Sequence, residues 1–161
     1  MPDFAGVDHV GFTVTDLDAS VRFYTEVLDF VEIMDVGYAR IMAHPSNGFI
    51  LAVSKHEGAH GGRFTELTTG LDHLGLTAGS REELVEWERR FDELGVEYTP
   101  IRDMEFGHHL NFRDPDGIPL ELYVPGALAL AAQEALMSGS LTKEDIAAFV
   151  SENISPDYVV T

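Results

Sequence analysis

Val7-Asp8-His9-Val10-Gly11-Phe12-Thr13-Val14 returns sixty-four positions later as Leu71-Asp72-His73-Leu74-Gly75-Leu76-Thr77-Ala78. A fixed-period echo of this kind marks a duplicated structural unit. In the first copy Val10, Phe12 and Val14 fall on one face of a strand and His9, Gly11 and Thr13 on the other, as a two-residue period requires. Thr15, Asp16 and Asp18 then offer capping oxygens and acidic first-turn charge to a helix that carries Val21, Tyr24, Val27 and Leu28 to about Asp29. The second copy repeats the order. His73, Gly75 and Thr77 share one face, and Asp72 heads the other with Leu74 and Leu76. Ser80 with Glu83 predicts a capping box, Leu84, Trp87, Phe91 and Leu94 a helix, and Gly95 its left-handed end.

Short strands follow each helix. The first set is predicted near Phe30–Met34, Tyr38–Ala43 and Phe49–Ser54, with His44-Pro45-Ser46-Asn47-Gly48 as a hairpin turn. The second is predicted at Val96–Ile101, His108–Phe112 and Leu120–Val124, with Asp114-Pro115-Asp116-Gly117 as the turn. Each half reads β-α-β-β-β, and the fold class is α+β. The modules span about residues 5–60 and 68–125 and are joined by the glycine-rich His56–Gly62. Neither buries its sheet face alone, so residues 1–125 are expected to form one curved mixed-sheet domain. Residues 126–161 form a helical appendage without a counterpart in the first half. Ala127–Met137 reads as a helix ended by Gly139, Thr142 caps a second over Lys143–Val150, and Ser151–Thr161 is a tail. The appendage is expected to cover a sheet edge or a neighbouring subunit.

The chain has 161 residues, 45% of them hydrophobic, enough for one domain with a real core. Its 28 acidic against 10 basic residues give a net charge of -18, which repels phosphate backbones and anionic lipid. Neither nucleic acid nor membrane is expected as a partner. The absence of cysteine excludes disulfides, thiolate metal sites and cysteine nucleophiles, so a metal here would need histidine, carboxylate and water. Met1-Pro2-Asp3-Phe4 lacks a basic region and an apolar run, and no stretch reaches the roughly 20 apolar residues of a membrane helix. A cytoplasmic location is the expectation.

Strand parity singles out three side chains. In Leu120-Glu121-Leu122-Tyr123-Val124 the leucines and Val124 face the core, so Glu121 points the other way with Tyr123. A carboxylate between core leucines asks for a partner. His9 and His73 also point away from the apolar faces of their strands. Two histidines and a carboxylate suit iron(II), and manganese or another divalent ion accepts the same set. Gly11 and Gly75 leave room beside them for metal-bound water or substrate. The bland alternative is a structural Asp-His dipeptide kept twice by duplication.

At this point the chain resembles the vicinal oxygen chelate superfamily, which includes glyoxalase I, bleomycin-resistance proteins, fosfomycin-resistance enzymes and extradiol dioxygenases. The resemblance rests on Val7–Asp16 with Phe23-Tyr24, on Leu71-Asp72-His73-Leu74, and on Phe112–Leu122. It implies two βαβββ modules presenting a divalent metal on His9, His73 and Glu121. Aligning Gly48–Ala52 with Gly117–Glu121 puts Ala52 at the place of a fourth protein ligand, which argues against glyoxalase I activity. The triad is similar to that of extradiol dioxygenases and of fosfomycin-resistance enzymes. For the latter, basic residues to hold a phosphonate are not evident after Glu121, Lys143 being the nearest.

The resemblance therefore implies an oxidoreductase, an extradiol-type dioxygenase that cleaves a small catechol-like ring at iron(II), with Mn(II), Ni(II) or Zn(II) as other ions. Its acid or base would be His60, or His56 in the same linker, with His109 and Tyr123 beside Glu121. Asn111 stands where the extradiol pattern has tyrosine. The alternatives are redox-neutral glyoxalase-, epimerase- or fosfomycin-resistance-like chemistry, as in lyases and isomerases, and a small-molecule-binding resistance protein. Phe49, Phe64 and Phe106 read as core or lid packing. A homodimer is expected, and modules exchanged between chains would bring His9 from the partner subunit.

Overall fold

The structure, a computed structural model, describes residues 6–137 and 142–153. The expected start of the first module at residue 5, the Gly139 stop and most of the Ser151–Thr161 tail lie outside these residues. The first module runs β1 (His9–Thr13), α1 (Leu17–Leu28), β2 (Val31–Asp35), β3 (Ala39–Ala43) and β4 (Ile50–Ser54), in the sheet order β1-β4-β3-β2. The second runs β5 (Leu74–Thr77), α2 (Arg81–Leu94), β6 (Arg102–Met104), β7 (Gly107–Arg113) and β8 (Pro119–Pro125), in the order β5-β8-β7-β6. In both sheets the first and last strands pair in parallel and the other pairs are antiparallel. The duplication read in the sequence is thus a duplication of topology. Two further helices follow, α3 (Ala127–Met137), which packs on β8, and α4 (Lys143–Asn153).

Local chemistry sets the helix ends. The Asp16 carboxylate accepts the Ala19 amide, and α1 stops at Asp29 in a left-handed conformation. Ser80 Oγ accepts the Glu83 amide, while the Glu83 carboxylate reaches back to the amide of Gly79, one residue outside the usual box. Thr142 and Asp145 cap α4 reciprocally.

One expected strand is displaced. Val96–Ile101 contains only an isolated bridge, Tyr98 to Phe112, and the regular strand begins at Arg102. Pro100 has no amide to donate, and the Ile101 amide is taken by the Glu88 carboxylate, so no ladder extends through this segment.

The modules share one core. Phe12, Tyr24, Met42, Leu51 and Val53 of the first join Leu84, Phe91, Leu110, Phe112 and Leu120 of the second in a continuous buried cluster. Phe23 stacks on Phe112 with ring centres 6.5 Å apart, and Arg90 donates to the Val27 carbonyl from α2. The Asp-Pro-Asp-Gly turn is more than a hairpin bend. The Thr15 amide and hydroxyl both donate to Asp116, and the Tyr24 hydroxyl donates to Asp114 at 3.1 Å. Two carboxylates of one module therefore close the join with the other.

Burial pushes the Asp114 carboxyl up to about 6, against the amides and the Tyr24 hydroxyl that favour its charged form. Its folded value lies above its unfolded value, so its contribution to stability is full below about pH 4 and is lost as pH rises towards 6. The linkage is worth at most about 3 kcal/mol. Glu66 and Asp103, held down to about 2 by Arg113 and Arg81, lose their contributions as pH falls from the ordinary carboxylate range towards 2, mostly below that window. Asp114→Asn keeps an oxygen for the two turn amides and removes the proton. Urea unfolding of this variant should show a flatter stability profile between about pH 4 and 6 than the parent. An unchanged slope would reject the assignment.

Candidate metal centre

β8 alternates sharply. Leu120 and Leu122 are buried in the core, and Glu121 lies on the opposite face yet is only 8% exposed. Its neighbours in register are Gly75 on β5 and Asn111 on β7. Glu121 Oε1 stands 2.7 Å from His109 Nδ1, and Oε2 stands 3.6 Å from His73 Nε2. His73 precedes the β5 ladder by one residue, and its Nδ1 is 2.6 Å from Asp72. A carboxylate only accepts, so a neutral His73 bonded to Asp72 would carry its proton on Nδ1 and turn the lone pair of Nε2 towards the free oxygen of Glu121. In that tautomer two acceptors face each other, an arrangement that suits a cation.

The spacing agrees with that chemistry. Nitrogen and oxygen ligands each roughly 2.1 Å from one ion stand about 3.4 Å apart at a tetrahedral angle. A β-carbon on Gly75 would come to 3.7 Å from Glu121 Oε2, so glycine keeps that side of the pair open.

The first module holds the third candidate. His9 Nδ1 is 2.8 Å from Asp8 Oδ1, the same arrangement as Asp72 and His73, and the His9 side chain is 59% exposed. Gly11 pairs with Ala52 as Gly75 pairs with Glu121, so Ala52 occupies the position of the acid and brings no ligating atom. His9, His73 and Glu121 do not converge within one chain. Among the described residues no three histidine or carboxylate side chains are close enough together to hold a metal ion. The helices cover one face of each sheet, and the face bearing His9, Gly11 and Thr13 stays open.

The expected acid–base residues separate. His109 is tied through Nδ1 to Glu121, and its ring centre lies 4.8 Å from that of Tyr123. The Tyr123 hydroxyl donates to the Phe106 carbonyl at 2.6 Å, and burial and the Glu121 charge raise its pKa, so it stays protonated at neutral pH. His60 lines another cavity, beside Thr13 and the linker, and the His56 ring lies against Tyr38. Phe30, Phe49 and His44 form an edge-to-face group, which accounts for Phe49 as packing.

A cavity of about 320 Å³ adjoins His73 and is lined by Thr99, Arg102, Asn111 and Arg113. Arg113 is paired with Glu66 at 2.7 Å, whereas the Arg102 guanidinium has no partner among the described residues. Arg102 lies opposite His109, which lies opposite Tyr123, so all three share the face that carries Glu121. Residue order alone does not mark this cation as a site residue. It precedes Glu121 rather than following it, and a strand ending at Ile101 leaves it in a loop. Only the β6–β7 register brings it to the open face.

The paired βαβββ modules place a histidine and a carboxylate on one open face and a second histidine on another. The chain belongs to the Glyoxalase/Bleomycin resistance protein/Dioxygenase superfamily, whose family model matches residues 6–122. It is similar to the metallothiol transferase FosB of Bacillus licheniformis, 28% identical over 123 residues, 73% of this chain and 74% of that one. Its fold resembles a glyoxylase/bleomycin resistance protein/dioxygenase domain from Frankia sp. EAN1pec, at 35% identity and a TM-score of 0.71, over 78% of this chain and 95% of that one. It also resembles a mutant of the fosfomycin resistance protein FosX from Listeria monocytogenes, complexed with Mn(II) and 1S,2S-dihydroxypropylphosphonic acid, at 21% identity and a TM-score of 0.63. That likeness covers 82% of this chain and 99% of the FosX chain. No helix among the described residues is long and apolar enough to cross a membrane.

Tyr123 also has a packing role that depends on Gly107. A β-carbon there would lie 2.3 Å from the Val124 carbonyl and 2.6 Å from the Tyr123 ring. Gly107→Ala should therefore destabilise the protein by about 2 kcal/mol or more in urea unfolding. Tyr123→Phe, which loses one hydrogen bond, should cost about 1 kcal/mol. Equal stability of Gly107→Ala and the parent would show that the ring does not rest on this glycine.

Proposed function

We propose that the protein is a divalent-metal enzyme of the redox-neutral kind, acting on a small anionic substrate at a site shared between two copies of the chain. The observation that carries this reading is Nε2 of His73 standing 3.6 Å from Oε2 of Glu121, with Arg102 on the same open face. His9 of the first module would supply the remaining imidazole from the partner subunit. Support comes from the 59% exposure of the His9 side chain and from the lack of a third ligand beside His73 and Glu121 among the described residues. β2 and the turn beyond it add an apolar strip, with Ile33, Met34, Val36 and Tyr38 between 45% and 62% exposed. An exposed edge strand of this composition is a place for another chain to pack, which supports a homodimer.

Each residue has a distinct task. Asp8 and Asp72 would hold the protons of neutral His9 and His73 on Nδ1 and leave each Nε2 able to ligate a divalent ion. His109 occupies Oε1 of Glu121 and so directs Oε2 towards His73. Gly11 and Gly75 keep space beside the ligands, and Arg102 draws an anionic group of the substrate into the cavity beside His73. A bound divalent ion would supply Lewis acidity to a substrate oxygen. Ring cleavage at iron(II) has less support, because His109 is engaged with Glu121 and His60 lines a separate cavity. The likeness to FosB and FosX supports addition of a nucleophile to an anionic epoxide, with fosfomycin as the first substrate to test and Mn(II) as the first ion. Incubation without oxygen, followed by NMR of the product, discriminates the readings. Turnover of fosfomycin supports the proposal, and oxygen-dependent yellow products from catechols with iron(II) would replace it.

Shared sites have an arithmetic signature. His9→Ala and Glu121→Ala homodimers should each lose tight Mn(II) binding. After mixing and reassociation, half of the dimers are mixed, and each mixed dimer keeps one intact site. About a quarter of the parental Mn(II) sites should therefore return. No recovery, with dimers exchanged as shown by mass, would reject the shared site. Arg102→Ala should raise KM about tenfold or more with little change in kcat, as expected when one charged contact to the substrate is lost.

A further inference from the structure

We propose that Glu66 is a built-in competitor for the anion site beside His73: its carboxylate rests on Arg113 and gives way when a small oxyanion takes its place. The inference rests on the reading that an anionic substrate enters this cavity, and it adds Arg113 to Arg102 as a residue that receives the anion. Arg113 lies on the same open face as His109 and Asn111, two residues beyond Asn111 and roughly 7 Å from it along the strand. Both arginines and Glu66 line the cavity of about 320 Å³ beside His73.

The cavity already holds an anion. Nη2 of Arg113 donates to Oε1 of Glu66 at 2.7 Å and Nη1 to Oε2 at 3.2 Å, the two-pronged pairing by which a guanidinium grips a carboxylate. A further bond from Nη1 to the Gly117 carbonyl at 3.0 Å aims the fork. Around the cavity the charges of Arg102 and Arg113 are balanced by those of Glu66 and Asp72, and Asp72 is engaged by Nδ1 of His73. Such a balance attracts no additional anion. Exchange is different: a monoanion on Arg113 repeats the charge of the Glu66 carboxylate, which is screened once it stands in water.

Glu66 is placed to let go. Residues 65–70 run between two anchors, Phe64, whose amide donates to the Asp116 carbonyl, and Leu71, which packs against the core. Between them the backbone makes one hydrogen bond of its own, from the Thr68 amide to the Thr65 carbonyl at 3.3 Å. Among the described residues, the pair with Arg113 is the only hydrogen bond or ion pair that ties this segment to a strand. Leu67, next to Glu66, is 93% exposed, so its side chain does not hold the turn down. A partly exposed ion pair is a weak restraint in water. A tethered carboxylate competes at an effective concentration of about millimolar, so a ligand that also reaches Arg102 can displace it.

Methanesulfonate, a monoanion at every working pH, and its neutral analogue methanesulfonamide are suitable probes, titrated into the metal-free full-length protein while the Arg113 Nε–H signal is followed by NMR. Methanesulfonate should shift that signal and bind Glu66→Gln at least about fivefold more tightly than the parent, because the internal carboxylate no longer competes. Methanesulfonamide should not bind Glu66→Gln, and adding Arg113→Gln to that variant should abolish methanesulfonate binding. Thr65→Val removes the hydroxyl that accepts the Leu67 amide and loosens the same turn without touching a charge, so its affinity should match that of the parent. The absence of metal keeps this result separate from the fate of the shared metal site. The proposal is overturned if Glu66→Gln binds methanesulfonate no better than the parent, if Thr65→Val gains as much as Glu66→Gln, or if Arg113→Gln leaves binding intact.

Discussion

A carboxylate in mid-strand between two core leucines constrains everything around it. Glu121 cannot turn away from the face that strand parity assigns it, and it is too well covered to be satisfied by water alone. Its surroundings answer with His109 on one oxygen and Nε2 of His73 before the other. Asp72 fixes the orientation of His73, and the missing side chain of Gly75 keeps the approach clear. The half-site is preorganised by strand register, since β5, β7 and β8 each contribute through a position fixed by backbone pairing.

The duplicated module repeats that scaffold but not its chemistry. Gly11 and Ala52 take the places of Gly75 and Glu121, and His9 with Asp8 matches His73 with Asp72. One module therefore has an acid and a histidine, and the other a histidine alone. Their unequal contents are complementary only if the two open faces meet. Within one chain the modules join instead through their helices and through the carboxylates of Asp114 and Asp116, with the open faces left over. The same turn that joins the modules also bounds the linker cavity through Asp116 and Ile118.

Much of this was legible from residue order because it depends on local periodicity. The alternation of Val10, Phe12 and Val14, the caps at Asp16, Ser80 and Gly95, and the parity of Glu121 each follow from a few adjacent residues. Periodicity failed where the backbone donors were diverted. Pro100 and the Glu88 contact broke an expected strand, and that shift concealed Arg102. The linker offered no alternation to read, so His60 was expected in a cleft whose residues it does not join.

The sequence by itself determined the duplicated topology, the family, and which face of each strand carries Glu121, His9 and His73, because these depend on spacing along the chain. Tertiary structure alone decided which of those faces come together. It paired the modules through helices and buried aspartates, set His73 opposite Glu121, and left His9 on a separate face. The physical reason is that strand parity specifies a direction, whereas convergence depends on how rigid layers pack, and packing is fixed by contacts between residues far apart in the chain.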